Sequence, residues 1–107
     1  KLPLWLAPQQ VVIASIVSDA NDYADKIAQL LANENIRVSL DTRNEKISYK
    51  IREHSSAKVP IIIAVGIREI ENQTVSIRRL GLKESEVLSL ERFIKLAKNE
   101  IKPPDQN

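Results

Sequence analysis

Apolar residues fall along the chain in two solid runs and several broken ones. VVIASIV, from Val11 to Val17, and VPIIIAVG, from Val59 to Gly66, are apolar on both faces. That is the pattern of strands inside a sheet with helices on either side, and Pro60 is acceptable only at the start of the second one. Ile36, Val38 and Leu40 alternate with Arg37 and Ser39, which predicts a half-exposed strand at the sheet edge. Between the first two strands, Tyr23, Ile27, Leu30, Leu31 and Glu34 mark a helical stripe that is apolar until its last position. Ser18, Asp19 and Asn21 offer caps for it, and Asn35 a left-handed stop. Strand, helix, strand in this order implies parallel pairing.

Past Gly66 the pattern changes. IREIENQ is charged and closes on Asn72-Gln73, a turn without glycine that sends the chain back into TVSIR. There Val75 and Ile77 face inward, and Ser76 and Arg78 outward. Gly81 to Glu86 reads as a loop and Val87-Leu88 as a short last strand. Ser89 caps a final helix whose apolar face is Leu90, Phe93, Ile94, Ala97 and Ile101. Pro3 and Pro8 bracket Leu4, Trp5 and Leu6 in an extended connector over residues 1–10, with Trp5 packing on the sheet edge or on a neighbouring domain. Residues 102–107 read as a frayed tail. The expected architecture is one three-layer α/β/α domain over residues 11–101, with a mixed, mostly parallel sheet and no internal repeat.

Composition narrows the chemistry. A chain of 107 residues buries about two-thirds of its unfolded surface, so no metal or disulfide is needed to hold it. Without cysteine there are no disulfides, thiolate zinc sites or thiol nucleophiles, which suits a reducing compartment and a cytoplasmic location. The apolar runs fall well short of the ~20 residues of a membrane helix, and no signal segment opens the chain. The formal net charge is only +2, so any nucleic-acid role rests on local clustering.

That clustering is found between the second and third strands, in DTRNEKISYKIREHSSAKVP. Counted as a helix from Ile47, Ile51 and His54 share one face, whereas Tyr49, Arg52 and Ser56 fall on the other. The buried stripe is narrow and the outer face is polar and cationic, which suits a polyanion. Thr42 and Glu45 have the spacing of a capping box, with Asn44 as a competing cap. An enzyme reading finds little support. Two glycines cannot build the phosphate loops of nucleotide-binding enzymes. Ser55 and Ser56 diverge from His54 around the helix, no orienting acid lies on its face, and His54 is expected to pack inward. Asp19, Asp22 and Asp25 suit an exposed helix start better than a cation site. The loops after the second and third strands, DTRNEK and GIREIENQ, are expected to meet at the carboxyl edge of the sheet, joining Asn44, Arg52, Glu69 and Arg78 in one surface. Such groups suit the edges of unstacked bases in single-stranded RNA loops, and each taken alone suits an ordinary solvated surface.

NEKISYKIREH and KVPIIIAVG, with PLWLAPQQVVI upstream and TVSIRRLG downstream, resemble the C-terminal anticodon-binding domain of bacterial-type threonyl-tRNA synthetase, a class II enzyme. The resemblance covers Pro3 to Ile101. It implies five strands, three main helices and a non-catalytic domain that recognises the anticodon loop of threonine tRNA, whose second and third bases are G and U. By resemblance the anticodon-binding residues are Asn44, Arg52, Lys58, Glu69 and Arg78, with Lys58 standing where the family often has arginine. ATP, magnesium and a catalytic zinc belong by resemblance to a catalytic domain outside this stretch, which itself has no cofactor or metal residues. The resembled parent is a homodimer and an ATP-dependent ligase. The fragment is expected as a monomer, with no DNA or membrane partner.

The departures are GIREIEN for GDKEVEN, NEKISYK for NEKIGYK, and LGLKESE in a loop that is usually richer in glycine. The last adds Glu84 and Glu86 where less acidic residues are usual, which disfavours a phosphate contact by that loop. A regulatory module of doubly wound fold, or a protein-interaction domain using Leu4 and Trp5, are the alternatives.

Overall fold

The two solid apolar runs become neighbouring interior strands. In the computed structural model, which describes residues 10–81 and 84–101, the chain forms β1 (Val11–Ser15), a 3-10 turn (Ser18–Ala20), α1 (Asn21–Ala32), β2 (Val38–Asp41) and α2 (Ile47–Ser56). It continues through β3 (Ile61–Val65), α3 (Ile67–Asn72), β4 (Thr74–Arg79), β5 (Ser85–Ser89) and α4 (Leu90–Ile101). The strand order is β2-β1-β3-β4-β5. β1 runs parallel to β2 and β3, and β4 runs antiparallel to β3 and β5. The mixed sheet and the edge position of β2 agree with the sequence pattern.

Alternation along the strands divides the interior into two unequal cores. Val11, Ile13, Ile61, Ile63, Val65, Val75 and Ile77 face α1, α3 and α4 and join Tyr23, Ile27, Leu31, Phe93 and Ala97 in the larger one. On the other face Val12, Val59 and Ile62 meet only the half-buried Ile51 of α2. These are the three layers, and α2 is held by far the less apolar surface. It packs mainly across β1 and β3, which leaves its side of β4 and β5 without a helix among the described residues.

Three helices end on non-glycine residues in the left-handed region: Asn35 after α1, Lys58 after α2 and Gln73 after α3, with φ of 62°, 65° and 53°. After α1 the Ile36 N–H reaches Leu31 O and the Asn35 N–H reaches Ala32 O. After α2 Val59 and Lys58 bond His54 O and Ser55 O in the same way. Each pair satisfies carbonyls that a helix end otherwise orphans. The expected starts differ. Ser18, Asp19 and Asn21 make no side-chain cap to α1, because the chain first turns through the 3-10 segment. Neither Asn44 nor a Thr42-Glu45 box caps α2, which begins directly after an extended Lys46. Ser89 does cap α4, its Oγ accepting the Arg92 N–H at 3.2 Å.

IREIENQ, read as a charged connection, contains the short α3. Its start is fixed by Glu69, whose Oε1 accepts the Gly66 N–H at 2.7 Å. A Cβ on Gly66 would sit 3.2 Å from Ile16 Cδ1 and 3.4 Å from Glu69 Oε1, so glycine permits this close approach. Gln10, placed in the connector by sequence, already belongs to the domain: its N–H bonds Arg37 O, and its Oε1 accepts the Arg37 N–H at 2.8 Å. The rest of the connector with Trp5, the tail at 102–107, and Leu82 and Lys83 of the last loop lie outside the described residues. Among the described residues no helix is long and apolar enough to cross a membrane.

Candidate nucleic-acid interface

α2 brings two kinds of charged residue to the surface: those engaged with one another and those left open. Lys50 leads the first kind. It is 1% exposed, and its Nζ donates to Ser15 O at 2.9 Å and Asp41 O at 3.2 Å, tying the carboxyl ends of β1 and β2 together. The helical period that places His54 inside also places Lys50 there, between Ile47, Ile51 and His54. A lysine is by residue type usually solvent-facing.

The Asp41 carboxylate, 3% exposed, takes Arg43 Nε and Nη2 at 2.8 Å each and His54 Nε2 at 2.7 Å. Arg43 Nη2 also reaches Glu53 Oε1, Glu53 Oε2 accepts the Tyr49 hydroxyl at 3.0 Å, and the Arg43 guanidinium lies 5.8 Å from the Tyr49 ring centre. The hydrogen bonds from Arg43, and then from His54, hold the Asp41 carboxyl well below the usual carboxylate range against the upward push of burial. Arg43 and then Tyr49 lower Glu53, and the same tyrosine–glutamate bond raises Tyr49. An ionised Asp41 only accepts, so His54 Nε2 carries the shared proton.

This corrects the expectation that His54 lacks an orienting acid: Asp41 supplies one from β2. Among the described residues neither Ser55 nor Ser56 bonds His54, so no nucleophile completes a triad. Asp41, Glu53 and His54 bring ligand-type atoms within 4.8 Å of one another. Arg43 bridges the two carboxylates and supplies there the positive charge a metal would bring.

The residues singled out by sequence fall mostly in the second kind. Asn44, Arg52 and Lys58 are exposed, and their side chains have no partner among the described residues. Arg78 is half-buried on the side of β4 that no helix covers among the described residues. Its Nε is buried and bonds to nothing among the described residues. Glu69 differs. It is 8% exposed, with Oε1 engaged at Gly66 and Oε2 without a described partner. Its charge, after burial, helps raise the Tyr23 phenol, which donates to Thr74 O at 2.8 Å on the α1 side.

The five residues sit on different elements. Asn44 and Glu69 follow the carboxyl ends of β2 and β3. Arg78 pairs with Ile62 near the start of β3, and Lys58 precedes that strand. Arg52, Lys58 and Arg78 are instead spread along the α2 side of the sheet, because α2 and β4 both run back against β3.

A family model described as the anticodon binding domain matches residues 10–100. The chain belongs to the anticodon-binding domain family. Within it, the chain is 57% identical over 104 residues to the threonine–tRNA ligase of Caulobacter sp. (strain K31), covering 97% of this chain and 16% of that protein. The threonine–tRNA ligase of Dinoroseobacter shibae is 53% identical over 106 residues, covering 99% of this chain and 16% of the relative. The chain thus spans 16% of the length of these curated relatives. A solved RNA binding domain of threonyl-tRNA synthetase from Cryptosporidium parvum Iowa II superposes with a TM-score of 0.89 at 28% identity, over 96% of this chain and 26% of that one. In this anticodon-binding domain the Asp41–Arg43–Glu53 network frames the loop that carries Asn44.

Proposed function

We propose that this anticodon-binding domain docks the anticodon loop of threonine tRNA on its α2 side, as part of a threonine–tRNA ligase that charges tRNA with threonine using ATP. Arg78 carries the reading: a guanidinium on an uncovered sheet face, its backbone restrained by the ladder and its buried Nε lacking any acceptor among the described residues. A buried unpaired donor is costly unless a ligand completes it. Guanine offers O6 and N7 to such a group, and unstacked loop bases leave those edges open. In this reading Arg78 and Asn44 meet base edges of the second and third positions, G and U. Arg52 and Lys58 neutralise phosphate, and Glu69 offers Oε2.

The domain supplies recognition only. ATP, magnesium and zinc chemistry belong to the remainder of the ligase, which acts as a dimer in the cytoplasm. Titrating the chain with threonine anticodon stem-loops and with loops altered at the second and third bases tests the proposal. Tighter, salt-dependent binding of the cognate loop is the expected result. Equal affinity for both would remove base reading. No RNA binding at low salt would favour a protein-interaction module, for which Val87, 62% exposed on the same face, is the apolar contact.

A further inference from the structure

On the face of the sheet opposite α2, α1 and α4 lie side by side over the larger core, and the groove between them has a volume of about 660 Å³. Its floor is apolar. Leu30, 37% exposed, comes from α1, and the half-buried Leu90 and Ile94 come from α4. Phe93 and Ala97, one face round α4, are fully buried, so this floor rests on packed core. The end of the groove at Gln73 is fixed by backbone: the Leu90 N–H donates to Gln73 O at 3.0 Å, Gln73 Nε2 donates to Ile70 O at 2.9 Å, and Ser89 caps α4. The groove is therefore preformed. Lys26 stands on its α1 wall, and Lys95 and Lys98 on its α4 wall. Lys98 is paired with Glu34 at 3.4 Å, whereas Lys26 and Lys95 are exposed, with no carboxylate partner among the described residues. Glu91 is the acid among the lining residues, and the balance of charge is positive.

An apolar floor between lysines selects among occupants. RNA would meet cations here, but the lining has no aromatic ring on which a base could stack. A membrane surface takes an apolar face that projects, and here the apolar side chains lie deeper than the lysines. A second copy of the chain, related by a two-fold axis through the groove, would set lysine against lysine. A helix that is apolar on one face and acidic along its borders satisfies floor and walls together, as a third helix laid on two.

We propose that the groove between α1 and α4 docks an acidic amphipathic helix of a partner protein, with its aliphatic residues on Leu30, Leu90 and Ile94 and its carboxylates against Lys26 and Lys95. The apolar floor supplies the hold, and the lysines select the charge of the partner. The groove and the proposed RNA surface lie on opposite sides of the sheet, so a partner held here leaves the α2 side open. The proposal does not depend on anticodon reading.

The test is an amide-resolved NMR titration of the chain with a synthetic helical peptide of about three turns, leucines along one face and glutamates beside them. Saturable shifts at Lys26, Leu30, Ser89 and Lys95 are expected, and they should weaken as salt rises. The double variant Lys26→Glu, Lys95→Glu should bind the acidic peptide about tenfold more weakly or worse, and should prefer a peptide with lysines in place of the glutamates. Leu30→Ser should weaken both pairings. Should Leu30→Ser fail to fold, the exposed lysine pair carries the comparison alone. The proposal is overturned if the acidic peptide leaves these amides unmoved at millimolar concentration, if the lysine peptide binds the unaltered chain as well, or if the charge-reversed variant binds the acidic peptide as the parent does. It is also overturned if vesicles of phosphatidylserine and phosphatidylcholine, or the anticodon stem-loop, shift the groove amides while the peptide does not. Dimerisation of the chain by sedimentation, lost in the double variant, would give the groove to a second copy. Failure of the stem-loop to bind while the peptide binds would count against RNA recognition alone.

Discussion

Ile62 and Arg78 are register partners across the β3–β4 ladder, and their side chains leave the sheet on the same face. Ile62 is 2% exposed in the core beneath α2, whereas the guanidinium of Arg78, one strand further out, has a buried nitrogen with nothing to bond among the described residues. Removing that side chain leaves the core intact and, on the proposed reading, takes away a base contact. Arg78→Ala is expected to cost about 1–3 kcal/mol on the cognate anticodon loop, and much less on a loop with the wrong second and third bases. Calorimetric titration of both loops decides it. Equal losses would make Arg78 a phosphate contact and move the reading role to Asn44 or Glu69.

Lys58 combines a charge with a backbone that glycine would adopt more easily, at φ 65°. Lys58→Gly should therefore raise stability by roughly 0.5–1 kcal/mol while weakening RNA binding. Lys58→Ala should weaken cognate and altered loops alike and make the logarithmic salt slope shallower by roughly 0.7, one single-strand phosphate contact. Thermal melts beside salt-dependent titrations give both numbers. A Lys58→Gly variant that binds as the parent does would take Lys58 out of the interface.

Acid should find Asp41 late. Its folded-state pKa is depressed below the ordinary value of about 3.9, so it adds stability that is complete above that value and disappears as pH falls toward the folded one. Arg43→Met removes the largest cause of the depression. The carboxyl resonance of Asp41 should then titrate at higher pH, and acid unfolding should begin earlier. An unchanged Asp41 titration in Arg43→Met would mean that His54 and the backbone N–H of residue 43 hold the carboxylate without the guanidinium.

The two cores should respond unequally to truncation. Phe93 is fully buried in the larger one, and Phe93→Ala is expected to cost about 3–5 kcal/mol. Ile51 is half-buried over the smaller one, and Ile51→Ala should cost only roughly 1–2 kcal/mol. Urea denaturation compares them directly. A larger loss at Ile51 would show that α2 is anchored by more than its apolar contact.

Strand positions were legible because their apolar residues repeat at a period that only a covered sheet requires, as in VVIAS and IIIAV. Ser89 and Asn35 were legible because a cap and a left-handed stop depend on near neighbours. Lys50 was not: a lysine reads as solvent-facing by residue type, and only the carbonyls of β1 and β2, brought together by parallel pairing, make a buried place for it. The burial of Glu69 was not legible either, since the Gly66 N–H it caps lies in a helix start too short to show periodicity. Asn44, Arg52 and Lys58 are exposed, as their residue types usually are. Arg78 stands at the register of Ile62 rather than beside the loops that carry Asn44 and Glu69, because β4 runs antiparallel to β3.

β5 is an outer strand of the sheet, and Glu86 stands opposite Ile77 in its register, on the core side of the ladder. A carboxylate at that place has no apolar partner to accept it if a second molecule extends the sheet, and Glu84 adds its charge just before the strand. Glu84 and Glu86 thereby guard an otherwise open row of backbone donors and acceptors. Concentrated solutions of the chain should resist edge-to-edge stacking, and neutralising Glu86 would release the hazard that every unfinished sheet carries.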